Sequence, residues 1–291
     1  MPYVPMAPML RAAADGGYAV AAINILNELT ARAVVNCCEG LKSPLILQTS
    51  TATVKHIGVI PLISFLRPLC ERAAIPVAIH LDHCKDAELA YACIDAGWSS
   101  VMIDGSHLPL EENISLTAEV ARCANPLGIS VEGELGTIGG VEDDISLDED
   151  SAQLVKIDDA VKFVNETGVD VFAPAFGTAH GQYKREPKLN FSLFAEIRKA
   201  VPTPLAVHGG TGLSPETFRK LVSIGASKIN ISTALKQAYL NSMRNFFVIN
   251  PNNSNPLHMD KYLEEQTAKI ARDHVLLFGS EGKSEGKDGW N

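Results

Sequence analysis

Short apolar runs alternate along this chain with stretches whose apolar residues recur at i, i+3 and i+4, and the alternation repeats eight times. The runs cover 18–24, 44–49, 76–81, 99–103, 129–134, 169–174, 204–208 and 227–231, and read as strands. The helical patterns cover 27–40, 56–73, 86–96, 111–125, 156–166, 190–200, 214–224 and 232–248. Runs of near-continuous Val, Ile, Leu and Ala belong to strands buried on both faces, as in a parallel sheet. Punctuation agrees with the pattern. Asp158 and Asp159 open one helix, Ser214-Pro215 supplies an N-cap with Pro at the first helical position, and Gly97, Gly168 and Gly225 follow helical stretches as C-caps. Eight strand–helix units in a row predict an α/β fold, a (β/α)8 TIM barrel, with an extra amphipathic helix over 256–276 beyond the eighth unit. A single domain over 1–280 is expected, and the Gly-, Ser- and charge-rich end, 281–291, reads as a flexible tail. Residues 136–153 are Gly-rich and then acidic, without periodicity, and read as a mobile loop after the fifth strand.

Polar residues crowd the places where the apolar runs end: VAIHLDH (77–83), VMIDG (101–105), VEGELG (131–136), APAFGTAHG (173–181) and AVHGG (206–210). In an α/β barrel, the carboxyl ends of the strands form the active face. His83, His180 and His208 end three different strands and can converge there. Three imidazoles with an open position are the donor set of a catalytic zinc. Asp104 and Glu134 can act as further ligands or as partners of the ligands. Asp82, beside a cation, suits proton transfer, and a carboxylate in that place can also orient a histidine. His80, on a strand, reads as a packed, hydrogen-bonded histidine, and His56, His107, His258 and His274 as ordinary residues. Glycines beside His180 and His208 let the backbone approach a ligand closely. KINIST (228–233) ends the eighth strand in Asn230, Ser232 and Thr233, groups that hold hydroxyls and phosphate or simply cap the next helix. GGTG (209–212) supplies the other half of such a phosphate site.

Composition narrows the partners. A net charge of −9 argues against a grip on nucleic-acid phosphates, while a phosphorylated small molecule is still compatible. No apolar run approaches the roughly 20 residues that cross a bilayer. The start, MPYVPMAPML, lacks a basic leader, and six cysteines in 291 residues do not make a disulfide framework, so a cytoplasmic setting is expected.

HLDH, MIDGSH, EGELGTIGGVED, GTAHGQY, VHGGTG and KINIST, in this order and spacing, resemble the class II, metal-dependent fructose-bisphosphate/tagatose-bisphosphate aldolase family over residues 3 to 280. The resemblance implies a Zn2+ held by His83, His180 and His208, with Asp104 and Glu134 at an alternative or buried metal position. It implies a ketose phosphate cleaved or formed through a metal-stabilised enediolate, with dihydroxyacetone phosphate as the ketone fragment. Glu142 would move the proton of that fragment and Asp82 that of the aldehyde oxygen. Phosphate contacts would come from Gly181, Lys184, Gly209, Thr211, Ser232 and Thr233, hydroxyl contacts from Asn230, and Asn24 and Ser50 would line the site. A monovalent cation (Na+ or K+) beside the phosphate and a homo-oligomer, dimer or tetramer, are also implied.

Some positions depart from the family pattern. Cys84 follows the zinc ligand and places a soft donor near the metal, and Asp144 stands in the loop where Gly is common. Bisphosphate-cleaving members carry a DPR-like segment whose arginine grips the far phosphate, whereas this chain reads NSNPLHMDKYLEE (253–265). The expected substrate therefore shifts toward a ketose monophosphate, or an unusual acid or sulfonate, unless another basic residue takes the arginine's place. Rival readings are a Schiff-base aldolase using Lys228, a metal-dependent hydrolase barrel, and a non-catalytic sugar-phosphate sensor. Chelator sensitivity separates the first from the zinc reading, the HxH expected of a hydrolase is absent from AINIL (22–26), and a Glu142→Ala variant with unchanged turnover would favour the sensor.

Overall fold

The computed structural model describes residues 3–142, 145–147, 153–181 and 187–284. Eight parallel strands close a barrel: β1 (Val20–Asn24), β2 (Leu45–Ser50), β3 (Val77–Cys84), β4 (Ser100–Ile103), β5 (Ser130–Leu135), β8 (Val171–Pro174), β10 (Leu205–Val207) and β11 (Ala226–Ile231). β11 pairs with β1 from Val20↔Lys228 to Ile23↔Ile231 and so closes the ring. The outer helices are α2 (Glu28–Gly40), α3 (Thr51–Ile57), α4 (Val59–Arg72), α5 (Ala87–Ala96), α6 (Leu110–Ala124), α7 (Ile157–Thr167), α8 (Phe191–Ala200), α9 (Pro215–Ser223) and α10 (Thr233–Ile249). The extra helix is α11 (Pro256–Phe278), which packs on α2 and α10. No single helix among the described residues is long and apolar enough to cross a membrane.

Strand alternation sorts the side chains. On β3, Val77, Ile79 and Leu81 join the apolar layer between strands and helices, whereas Ala78 belongs to a second cluster inside the ring. That inner cluster gathers Val20, Ala22, Ile46, Ala78, Val171, Ala173 and Ala206 at the amino-terminal half of the strands. It is floored by Met6, Met9, Leu10 and Ala13 of α1 (Met6–Gly16). Each such Met or Leu withdrawn from water contributes roughly 1.5–3 kcal/mol. Two residues further along the strands the inner face turns polar, with Gln48, His80, Glu132 and Lys228 all buried. The barrel interior is thus apolar toward the amino ends of the strands and charged toward their carboxyl ends, the active face of such barrels.

The observed elements follow the periodicity closely and depart from it in five places. The helix expected over 56–73 is α4, starting after Gly58 at φ +94°, and an unexpected helix, α3, precedes it over Thr51–Ile57 at a bend of 106°. α1 has no counterpart among the predicted helices. β3 continues through Cys84, past the apolar run that marked it. The segment expected as a loop after β5 contains β6 (Gly139–Glu142) and β7 (Ile145–Leu147), an antiparallel pair, and β6 also pairs in parallel with β9 (Ala179–His180). Of the expected tail, Gly282 and Ser284 donate to the carbonyls of Leu41 and Lys42, and 285–291 lie outside the described residues.

Candidate active site

By alternation on β3, His80 and Asp82 face the barrel axis and His83 should face the helices. It does not, because His83 adopts φ +49°, one of two positive values among the described non-glycine residues, and the β3–β4 register shifts between Leu81 and Cys84. This left-handed step turns the His83 ring to meet its two counterparts. Its ring centroid lies 4.7 Å from that of His180 and 4.6 Å from that of His208. Donor atoms of His83, His180 and His208 all lie within 4.8 Å of one another. The same step returns Cys84 to the outer apolar core, where its thiol donates to the Asp86 carbonyl at 3.1 Å. Cys84 is therefore placed away from the metal-facing side, contrary to expectation.

His180 reaches the cluster from β9, and His208 follows β10 directly. Backbones approach closely here. A Cβ at Gly140 would meet the His180 carbonyl oxygen at 2.1 Å, and one at Gly209 the Ala179 carbonyl oxygen at 2.4 Å; both glycines have positive φ. These two positions admit glycine because strand β9 leaves no room for a side chain.

Carboxylates set which imidazole nitrogens face the cluster. Asp104 Oδ2 lies 3.1 Å from His83 Nδ1, and Glu132 Oε1 lies 2.7 Å from His208 Nε2. An ionised carboxylate only accepts, so both of those nitrogens carry hydrogen, and in the neutral rings the lone pairs fall on His83 Nε2 and His208 Nδ1. These two atoms face each other at 2.9 Å. Two lone pairs at that distance repel unless a cation or proton lies between them, so the donor set fits a divalent metal. Glu134 Oε2 adds a further buried oxygen without a hydrogen-bond partner among the described residues, 3.3 Å from His208 Nδ1 and 3.8 Å from His83 Nδ1. His83, Asp104 and Glu134 make a second group of mutually close donors.

The electrostatics agree. Burial opposes the His83 imidazolium, yet Asp82, the hydrogen bond to Asp104 and Glu134 pull its pKa up to about 10. His208, likewise buried, is raised by Glu132 and Glu134, whereas burial and the other two imidazoles push His180 well down. Burial and Asp104 raise Glu134. Asp82, Asp104, Glu132 and Glu134 face one buried ammonium, Lys228, so the pocket favours added positive charge. Asp82, 2% exposed, accepts from Asn24 Nδ2 at 2.8 Å and Asn230 Nδ2 at 3.3 Å. Burial would raise its pKa, but His83 and Lys228 hold it at about 2. Asn24 is itself steadied by Gln48 Nε2 at 2.7 Å.

The remaining expected residues ring this cluster. Ser50 caps α3, accepting from the Thr53 amide at 3.3 Å. Ser232 precedes α10 without capping it, its buried Oγ unpartnered among the described residues, while Thr211 Oγ1 accepts from the Ala234 amide in the first turn. Thr233 opens α10, and Gly181 follows β9. Lys184 lies outside the described residues, and Glu142 is described only as the backbone end of β6. His80 is packed as expected, its Nδ1 2.8 Å from Ser100 Oγ. Sequence reasoning missed Glu132 and Gln48, and named Lys228 only for a Schiff base. Lys228 instead stands 2.9 Å from Glu132 Oε2, fully buried.

Comparison with known proteins gives this arrangement its lineage. The chain is 37% identical over 284 residues to a sulfofructosephosphate aldolase of Alkalicoccus urumqiensis, covering 98% of this chain and 99% of the relative. The YdjI aldolase from Escherichia coli K12 superposes with a TM-score of 0.87 at 32% identity, covering 97% of this chain and all of that one. A fructose-bisphosphate aldolase from Campylobacter jejuni shares the fold, with a TM-score of 0.83 at 22% identity over 97% of each chain. The model of class-II fructose-bisphosphate aldolases matches residues 4–283, so the chain belongs to the class-II fructose-bisphosphate aldolase family and is a carbon–carbon lyase.

Proposed function

We propose that this enzyme is a zinc-dependent aldolase that splits, and in reverse builds, a ketose phosphate with dihydroxyacetone phosphate as its ketone fragment. The observation that carries the reading is the meeting of His83, His180 and His208 within 4.8 Å, beside an ionised, buried Asp82. A divalent ion held there supplies Lewis-acid polarisation of the ketone carbonyl. In cleavage, Asp82 takes the proton of the hydroxyl that becomes the aldehyde, and the bonding electron pair passes to the ketone fragment. Glu142 returns a proton to that carbon, and in condensation each residue reverses its role. Asn230 and Asn24 orient Asp82 through their amides and leave it a fixed direction of attack. Gly181, Gly209, Thr211, Ser232 and Thr233 hold the phosphate together with Lys184, the amides opening α10 providing fixed positive dipole.

A second reading concerns the aldehyde half: a terminal sulfonate takes the place of the second phosphate. It is favoured by the 37% identity to a sulfofructosephosphate aldolase and by the arginine-free stretch 253–265. The test is an aldol assay with dihydroxyacetone phosphate and a panel of aldehydes ending in phosphate, sulfonate or hydroxyl. EDTA should abolish product formation and Zn2+ restore it. Full activity after complete metal removal, or no adduct with any aldehyde, would refute the zinc aldolase. A preference for the phosphate-ended aldehyde would refute the sulfonate reading alone.

A further inference from the structure

The deepest ionic group in the barrel lies one layer below the three imidazoles. Glu132 and Lys228 are fully buried on β5 and β11, with the Lys228 ammonium 2.9 and 3.1 Å from the two carboxylate oxygens. Burying such a pair costs several kcal/mol per ion before attraction returns it, and apolar residues of equal volume commonly serve packing as well or better. Packing therefore does not account for it. Glu132 Oε1 is 2.7 Å from His208 Nε2, and its other oxygen lies 3.5 Å from His80 Nε2. His80 is tied through its other nitrogen to Ser100, so the carboxylate is held by Lys228 and His208 with a fixed His80 ring alongside.

We propose, on the basis of the zinc reading above, that Glu132 is a positioning residue. Held by Lys228, it fixes His208 in the tautomer and ring orientation that turn Nδ1 toward His83 Nε2 and the cation. A neutral imidazole has one hydrogen; with Nε2 donating to Glu132, Nδ1 must carry the lone pair. Asp104 does the same for His83 from the mouth of the barrel, and Glu132 does it from inside. Lys228 supplies countercharge and holds both carboxylate oxygens, so the acceptor cannot swing away. Outer partners of metal ligands typically account for 10–100-fold in metal affinity.

The test compares two double variants that each remove the ion pair as a whole. Glu132→Leu with Lys228→Met deletes the acceptor, whereas Glu132→Gln with Lys228→Met keeps an amide oxygen facing His208. Zinc affinity is measured by chelator competition, the ligand field by the visible spectrum of the cobalt(II)-loaded protein, and the fold by circular dichroism. The Leu/Met protein should bind zinc 10–100-fold more weakly, with an altered cobalt spectrum, and the Gln/Met protein should stay within about threefold of the parent. Equal affinity in a folded Leu/Met protein would overturn the proposal. Should that variant not fold, long-range 1H–15N correlation on the zinc-loaded parent protein decides: His208 protonated at Nε2 supports the assignment, and at Nδ1 overturns it. If the parent binds no zinc, the function reading fails. If parent and Leu/Met variant bind it equally, only the role of Glu132 fails.

Discussion

Replacing Asp82 by Asn isolates proton transfer from everything else the site does. The two side chains have the same shape, but the amide offers one oxygen where the carboxylate offers two. Asn24 and Asn230 both donate into that group, at 2.8 and 3.3 Å, so one of them would face an NH2 instead. One buried hydrogen bond is lost, about 1–3 kcal/mol, which lowers Tm by only a few degrees in a chain of this size. The chemical loss is larger. Positioned acid–base groups contribute 10²–10⁴-fold, so the cleavage barrier should rise by about 3–5 kcal/mol. His83, His180 and His208 are untouched, and zinc content should be retained. Glu142 is also untouched, so proton exchange on dihydroxyacetone phosphate in deuterated water, followed by NMR, should persist while carbon–carbon cleavage is lost. Cleavage kcat within threefold of the parent, in protein with full zinc, would refute the role of Asp82.

Three further outcomes are expected. His208→Ala should lose zinc and cleavage together; metal analysis showing unchanged zinc would remove His208 from the donor set. Gly140→Ala places a Cβ 2.1 Å from the His180 carbonyl oxygen at φ +100°, so the β6–β9 pairing must open; both Tm and zinc affinity should fall, and neither moving would show that this pairing does not hold His180. His274 is half-buried against Phe218 and Phe278, its Nδ1–H donating to the Ile270 carbonyl at 2.7 Å, and desolvation there lowers its pKa from the usual 6.5. The unfolded chain therefore binds a proton more readily below pH 6.5, and stability falls as pH drops from 7 toward 5, by at most about 1.4 kcal/mol per unit for this group. His274→Gln should flatten that part of a Tm-against-pH curve, and an unchanged slope would refute the attribution.

The fold was legible wherever burial imposed one period. All eight barrel strands lie within a few residues of the apolar runs, because a wall buried on both faces must be apolar along most of its length. The extension of β3 through Asp82–Cys84 escaped because Asp82 and His83 are polar for the sake of the site. α1 escaped because its start is crowded with Pro2, Pro5 and Pro8 and it pairs with no strand of its own. β6 and β9 escaped because they are short, β6 opening on two glycines and β9 only two residues long, and are held by pairing rather than by an apolar run. In the site, His83, His180 and His208 stood out at the ends of strands. Glu132 did not, since it sits in the middle of β5; the available signal was its i, i+2 relation to Glu134, which puts both on one face. Gln48 on β2 was hidden in the same way.

The backbone at His83 carries an evolutionary consequence. A residue with a branched ring at φ +49° is held against its own preference, a conformation that costs of order 1–3 kcal/mol and that Gly or Asn would occupy with little penalty. His83→Gly or His83→Asn would relieve that strain while deleting a proposed metal ligand and the partner of buried Asp104, so the backbone alone pulls this codon away from histidine. Directed improvement of robustness in this scaffold must retain a catalytic filter at that codon, or it will trade the enzyme for its container.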